Sequence, residues 1–488
     1  MNKPSIHLIC LIIISLLLGS CESNSTNGQP DDEQNVQEED GDSNVYDDSE
    51  VDDDSDFDED SDVDEDSDVY DSEVDENTCG DADLTAGESL ISGPLVGHTT
   101  DKTAMIWGHA PGAGEVKVRY FRRDCAGGSV TVPMKKQGEG EASVATLSGL
   151  SADTAYQYIV IQDGRKAAAG SFRTAPTPGA PTHFTYVFGS GIRVQAHPDQ
   201  PVWDEVMELD PSFQIFGGDN VYSNTTDYNG IWKRHLQQRA VGNFARAVRE
   251  IPSFALWDDH DYGPNNSDGK EAGKENSLRA FKDLWPAPQY GVSSTPGVFQ
   301  TFHWGDVQFF MMDNRYHKMD GRYVGREQMN WLKNELERST ATFKIIVHGG
   351  TIRKAGSESW FEYSSSEKTE LLNFIKDNQI TGILFHGGDV HNNFYSHFPK
   401  CPNGGSSHYD VFEIVSSGWT YKSEYVHLEV DTKDTPTIQY TFHEKGSVRQ
   451  IGEFTLESDG RMKHEFVLNG HEPVCDEGEP NPAYAFPD

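Results

Sequence analysis

The sequence predicts two folded parts in tandem, a small β-sandwich over residues 79–178 and a larger α/β domain over residues 180–472. Two observations carry this. From about residue 87 to 176, short alternating stretches are separated by Gly, Asp and Pro turns, the pattern of a small sandwich. After the Pro-Thr-Pro-Gly-Ala-Pro-Thr hinge at 176–182 the period changes, and apolar runs alternate with helix-like segments, which gives βαβ character.

In the first part, TAMIWGH, EVKVRYF, ASVATLSGL and AYQYIVI are the strands. LSGLSADTAYQYIV resembles the fibronectin type III corner, which makes Trp107 and Tyr156 core residues. In the second part, HFTYVF, SFQIF, SFALW, VQFFMM, FKIIV and GILF are buried strands. DQPVWDEVMEL starts a helix with Asp and an early Pro, and REQMNWLKNELER and SEKTELLNFIKDN carry apolar residues at helical spacing. VFEIV, YVHLEV, TIQYTF and IGEFTL return to strand and complete a second sheet, ahead of a Pro-rich tail over 473–488.

The start of the chain gives an address. Lys3 precedes an apolar stretch from Leu8 to Leu18, too short to span a bilayer and suited to a secretory signal. Leu18-Gly19-Ser20-Cys21 resembles the lipobox of bacterial lipoproteins, so residues 1–21 are expected to be a signal peptide that leaves a lipid on Cys21. Residues 22–78 hold 27 Asp plus Glu and no Lys or Arg, within a formal charge of −41 for all 488 residues. Such a segment repels itself and buries little, so a disordered linker is expected. The chain is thereby placed in the bacterial cell envelope, lipid-anchored and outside the cytoplasm. Basic clusters are absent from the sequence, which argues against a nucleic-acid-binding module. Of six cysteines, Cys79, Cys125, Cys401 and Cys475 remain for two disulfides in an exported chain; three connectivities are open, and Cys79–Cys125 with Cys401–Cys475 is the most economical.

Chemistry concentrates at strand ends. GSGIR follows HFTYVF, GGDN follows SFQIF, DDHD follows SFALW, DNR follows FFMM, HGG follows FKIIV and HGGDVH follows GILF. In α/β sheets ligands collect where strand ends open into loops. Several carboxylates at one sheet edge repel each other unless a cation neutralises them. Two cations about 3.5 to 4 Å apart also acidify a bound water and clamp a phosphoryl group. Arg193 and Arg315 follow strands and suit a phosphate oxygen, while Tyr222 and Tyr262 wall the pocket. Trp232, Trp257, Trp285, Trp304 and Trp331 are expected to pack. Gly-x-Ser-x-Gly and Walker sequences are absent, which leaves a covalent serine hydrolase and a nucleotide-driven motor unsupported.

GDNVY, WDDHDYGPNN, DNRYH, GREQMNWL and GGDVH, in that order, resemble the PhoD-type alkaline phosphatase and phosphodiesterase branch of the metallophosphoesterases. The resemblance implies a fibronectin-like sandwich followed by a four-layer αββα metallophosphoesterase domain. It makes Asp219 the bridging metal ligand, with Asp259, Asp389 and His391 as further ligands and Asn265, or its neighbour Asn266, at the Ca²⁺ side. His348 resembles the strand-end metal histidine of other metallophosphoesterases. His260 would orient or protonate the leaving group; Arg315 is read from its place after a strand, either as a phosphate contact or as a surface salt bridge. The implied cofactors are divalent or trivalent ions, Ca²⁺ first, with Fe, Mn or Zn. Two departures stand out. The family's Phe-x-Ser-Cys is here Phe188-Gly189-Ser190-Gly191, so the thiolate is missing, and the family's tyrosine ligand is unmatched, with His235 aligned nearest to it. Both losses point to a harder N/O set. The expected function is metal-dependent hydrolysis of phosphate esters, mono- or diester, at the envelope. The alternative is a non-catalytic calcium-binding surface protein with a degenerate site.

Overall fold

The computed structural model describes residues 84–87, 90–352, 358–398 and 411–470. The expected signal peptide over 1–21, the expected acidic linker over 22–78, Cys21, Cys79, Cys401, Cys475 and the expected tail over 473–488 lie outside the described residues. Cys125 is disulfide-bonded, and it is the one cysteine among those described. No described helix is long and apolar enough to cross a membrane.

The N-terminal part contains β1 (Ser92–Thr99), β2 (Thr103–His109), β3 (Val116–Arg122), β4 (Ser129–Pro133), β5 (Lys135–Gln137), β6 (Ala142–Ser148), β7 (Ala155–Gln162) and β8 (Arg165–Arg173). They form two four-stranded sheets, ordered β1-β2-β6-β5 and β4-β3-β7-β8. Alternate side chains such as Val96, Ile106 and Leu147 from one sheet, and Val118, Tyr158 and Phe172 from the other, share one apolar cluster. Ser151 N–H donates to the Tyr156 hydroxyl at 2.9 Å, fixing the turn before β7.

The chain continues through β9 (His183–Gly189), α1 (Val202–Glu208), β10 (Phe213–Gly217), α2 (Tyr228–Arg239), α3 (Gly242–Glu250), β11 (Ser253–Leu256), α4 (Asp259–Tyr262) and α5 (Lys274–Leu284). Then come β12 (Gln300–Trp304), β13 (Val307–Met311), α6 (Arg326–Arg338), β14 (Phe343–Val347), α7 (Trp360–Tyr363), α8 (Ser365–Asp377) and β15 (Ile383–Gly387). The last strands are β16 (Asn393–Phe398), β17 (Val411–Ser416), β18 (Glu424–Asp431), β19 (Thr437–Glu444), β20 (Ser447–Leu456) and β21 (Met462–Leu468). Two sheets result, β11-β10-β9-β18-β19-β20-β21 and β12-β13-β14-β15-β17-β16. Tyr186, Phe188, Ile215 and Leu256 of the first share a core with Phe309, Ile345, Val347 and Leu384 of the second. The opposite faces carry the helices: Phe216 and Ala255 pack with Trp203, Phe244 and Phe281, and Phe310, Ile346 and Phe385 with Leu332, Leu336 and Leu371.

Register positions the site. β9, β10 and β11 run parallel, with Phe216 opposite Gly189 and Gly217 opposite Leu256. β13, β14 and β15 are parallel too, with Met311 opposite Val347 and Val347 opposite His386. The carboxyl ends within each sheet therefore finish level and open into loops on one side.

Trp107 is fully buried, but its partners lie across the seam with the second part rather than only within its own sheet. Its indole N–H donates to the Asp283 carbonyl at 2.8 Å, and the Arg239 guanidinium stacks 4.1 Å from it and 5.2 Å from Trp285. Leu95, Ala142 and Val144 join Trp232, Leu284 and Trp285 in one continuous core. Trp232, Trp257, Trp285 and Trp304 are buried as packing residues, whereas Trp331 is half-buried.

Candidate metal centre

The Gly217-Gly218 step turns the chain sharply out of β10. Gly218 has φ 96°, and a Cβ there would lie 2.7 Å from the Asp258 Cβ, so only glycine lets the β10 and β11 ends come this close. Gly388, after β15, is pressed the same way: a Cβ would meet the Gly349 carbonyl at 2.5 Å, the Ser190 Oγ at 2.6 Å and the Gly217 carbonyl at 3.0 Å. Ends of strands from both sheets thus close on one point. Asp219, Asp389 and His391 adopt left-handed φ values of 51°, 72° and 50°, a conformation held at functional turns by the surrounding contacts.

Asp219, Asp259 and His260 offer ligand atoms within 4.8 Å of one another, as do Asp258, Asp259 and Asp389. Asp219 Oδ1, Asp259 Oδ1 and Asp258 Oδ2 are buried with no hydrogen-bond partner among the described residues. Orphaned carboxylate oxygens at this density need a cation. The remaining oxygens are held: Asn266 N–H donates to Asp259 Oδ2 at 2.6 Å, and the Tyr222 hydroxyl donates to Asp219 Oδ2 at 3.3 Å. Burial, then the neighbouring carboxylates Asp259 and Asp258, push Asp219 well above the usual carboxylate range. Burial raises Asp389 to about 8. Asp259 goes the other way, because Arg315, His260 and backbone donors together outweigh its burial. Hard oxygen and imidazole donors of this kind suit divalent or trivalent ions.

Tyr222 is where the structure departs most from the sequence reading. Its hydroxyl lies 2.7 Å from His391 Nε2 as well as against Asp219. The residue read as a pocket wall therefore places a phenol inside the ligand cluster, and the expectation of a set without one is corrected. His235, the residue aligned nearest to the unmatched tyrosine, is buried on α2 against Trp285, away from the cluster. At Gly191, with φ 79°, a Cβ would face Gly418 N at 3.2 Å and His391 Cδ2 at 3.5 Å, so the missing side chain would have pointed at His391.

Three further residues are not placed as expected. His348 sits beside Glu413 at 3.6 Å, against Trp360 and Phe385, because side chains alternate along β14: Val347 enters the core between the sheets and His348 the opposite, helix-covered face. Asn265 is exposed on the loop after α4, where the neighbouring Asn266 backbone, not a side chain, braces Asp259. Arg315 is fully buried, with Nε on Asp258 and Nη1 on Glu358 at 2.7 Å; only Nη2, 3.7 Å from Asp259 Oδ1, lacks a hydrogen-bond partner among the described residues, so the guanidinium acts first as counter-charge to the carboxylates. Arg193 is the half-buried arginine, 5.4 Å from the Tyr222 ring.

His260 lies at the edge, its Nδ1 2.5 Å from the Asn224 side-chain Oδ1 and its ring 4.1 Å from Tyr222. Burial holds it below the ordinary histidine range. His391 is lowered to about 4, by burial first and then by His260 and Arg193. Two acidic residues of the motifs are braces. Asp261 accepts from Asn220 and Val221 N–H at 3.1 Å each and from Asp258 N–H at 3.2 Å, and Asp313 accepts from the Trp257 indole at 2.9 Å and from Arg315 and Tyr316 N–H. Their dense backbone bonding has no signature in the sequence.

A pair of sheets whose strand ends converge on buried carboxylates beside half-buried histidines is the arrangement of a metal-dependent phosphoesterase, and the comparisons give the family. Residues 186–465 match the PhoD-like phosphatases, and the chain belongs to that family. Residues 87–179 match a domain of unknown function. Alkaline phosphatase D of Bacillus subtilis (strain 168) is 24% identical over 430 residues, covering 74% of this chain and 71% of that protein. A solved structure of PhoD superposes with a TM-score of 0.67 at 17% identity, covering 80% of this chain and 94% of its own. The purple acid phosphatase PPD1 of yellow lupin gives 0.56 at 14% identity, covering 73% and 72%.

Proposed function

We propose that the chain is a metal-dependent hydrolase of phosphate esters, monoesters, diesters or both, exported and tethered to the bacterial envelope by lipid on Cys21 with the acidic segment as spacer. The N-terminal sheets act as a fibronectin-like sandwich, and the two larger sheets with their helices as a four-layer αββα domain. The observation that carries the reading is the group of buried Asp219, Asp258 and Asp259 with half-buried Asp389 and His260, in which carboxylate oxygens of the three buried acids are left unpartnered. Asp219, Asp259, Asp389 and His391 would hold the ions, Ca²⁺ first with Fe, Mn or Zn beside it, which supply positive charge for a phosphoryl group and acidify a water. Arg193 reaches a phosphoryl oxygen from the rim. His260 hydrogen-bonds Asn224 through Nδ1, which leaves Nε2 to orient or relay the proton that accompanies the departing alcohol.

The test is hydrolysis of chromogenic mono- and diesters by the wild type, Asp219→Asn and Asp259→Asn, with and without chelator. A loss of at least about a thousandfold in each variant and on chelation is expected. Equal background rates in all samples would remove the hydrolase reading, and activity on the diester alone would narrow it to a phosphodiesterase. Elemental analysis identifies the ions. Ferric iron with a strong visible phenolate band would assign it beside Tyr222 and overturn an all-divalent centre.

A further inference from the structure

Away from the metal centre, an open groove of about 690 Å³ runs along α6 beside the edge strand β12, with His98 of the N-terminal sheets also lining it and Glu327, Asn330, Asn334 and Arg338 exposed. Its volume lies in the range of ligand sites, and a seam between folded parts is a common place for one. Gln300, at the start of β12, lines it and is only 7% exposed, yet its Oε1 has no hydrogen-bond partner. Its amide acts instead on the Tyr290 hydroxyl. On the opposite wall α6 presents Glu327, Asn330, Trp331, Asn334 and Glu335, residues three and four apart and therefore on one face. Trp331 is held by the Phe299 ring 4.9 Å away.

We infer that this groove binds a neutral saccharide. The buried Gln300 oxygen and the exposed Glu327 carboxylate can only accept hydrogen bonds, while Glu335 lies 3.8 Å from Arg338, so the groove suits a ligand rich in O–H or N–H donors. Asn330 and Asn334 add donors and acceptors that match vicinal hydroxyls. Trp331 supplies the flat apolar face on which the C–H side of a sugar ring packs. Glu327 and Glu335 against Arg338 leave the lining net negative, which disfavours a phosphate or carboxylate ligand and separates this site from the phosphoester chemistry.

The experiment titrates the purified full chain with cellotetraose, maltotetraose and chitotetraose, and with spermidine as a cationic donor, by calorimetry and tryptophan fluorescence. Saturable binding of at least one sugar is expected, weakened at least about tenfold in Trp331→Ala and in the surface variant Asn334→Ala, while Trp331→Phe retains more than half of the binding. Ester hydrolysis and melting temperature serve as folding controls and are expected to stay unchanged in Asn334→Ala. Failure of all three sugars to bind, binding of spermidine alone, or sugar binding indifferent to both alanine substitutions overturns the inference.

Discussion

Arg315 is the counter-charge of a carboxylate that has no route to water. It and Asp258 are both fully buried, and Asn314 completes the grip on Asp258 Oδ1 at 2.6 Å. Arg315→Met keeps the volume and removes the charge, stranding Asp258 beside Asp259 and Asp219. Urea unfolding of the metal-free protein is expected to show a loss of about 3–5 kcal/mol; a loss under about 1 kcal/mol would mean that Asp258 is carried neutral. What was legible at this scale were the acids: Asp219, Asp259 and Asp389 each follow an apolar run, and the structure gathers all three. Side-chain direction was not. Tyr222 lies five residues past β10 and Arg315 four past β13, where only the path of the loop decides whether the side chain turns inward, and Arg315 turned into the protein to pair with Asp258.

Among elements, the strand ends depend on contacts too close for any side chain. Gly388→Ala inserts a Cβ where three loops already touch, and the loops after β9, β10 and β14 must give by several tenths of an ångström. Such a shift misaligns reacting groups, so activity is expected to fall about a hundredfold in a protein that still shows native β-rich circular dichroism. Wild-type rates would mean the loops relax freely. The strands VQFFMM and GILF and the helix REQMNWLKNELER were readable because their periods are unmixed, and the structure places β13, β15 and α6 there. α2, α3 and α5 were not picked out. α2 devotes Tyr228, Trp232 and Arg239 to a seam with another sheet, so its apolar residues do not repeat as a core stripe.

For the molecule as a whole, one core crosses the seam. A fragment starting at residue 180 exposes Trp232 and Trp285 and leaves Arg239 without Trp107, so it is expected to aggregate on expression, while the chain from residue 79 melts in a single calorimetric transition. A soluble, active fragment from 180 would show that the N-terminal sheets are dispensable. Acid is a second whole-molecule lever. Burial lowers His98 to about 4, His386 to about 3 and His443 to about 4. Below the ordinary histidine value of 6.5 the unfolded chain takes up protons that the folded one refuses, so stability falls as pH drops from about 6.5 toward 4. His98 alone contributes on the order of 3 kcal/mol across that window. Melting temperatures at pH 7.5 and pH 5 should reveal it, and replacing His98 by Gln should flatten the slope.

The sheet order has a temporal meaning. β9, which leads into the site from residue 190, lies between β10 and β18, and the loop ahead of β18 seats on it, with Gly418 and Trp419 N–H each donating to the Ser190 carbonyl at 3.0 Å. The ribosome makes β18 more than 200 residues after β9. Until then β9 is an open edge and the acids gathered beside it have no closed cradle. A chain ended before residue 418 is therefore expected to hold a divalent ion more weakly than the full chain, which calorimetric titration of the two would check.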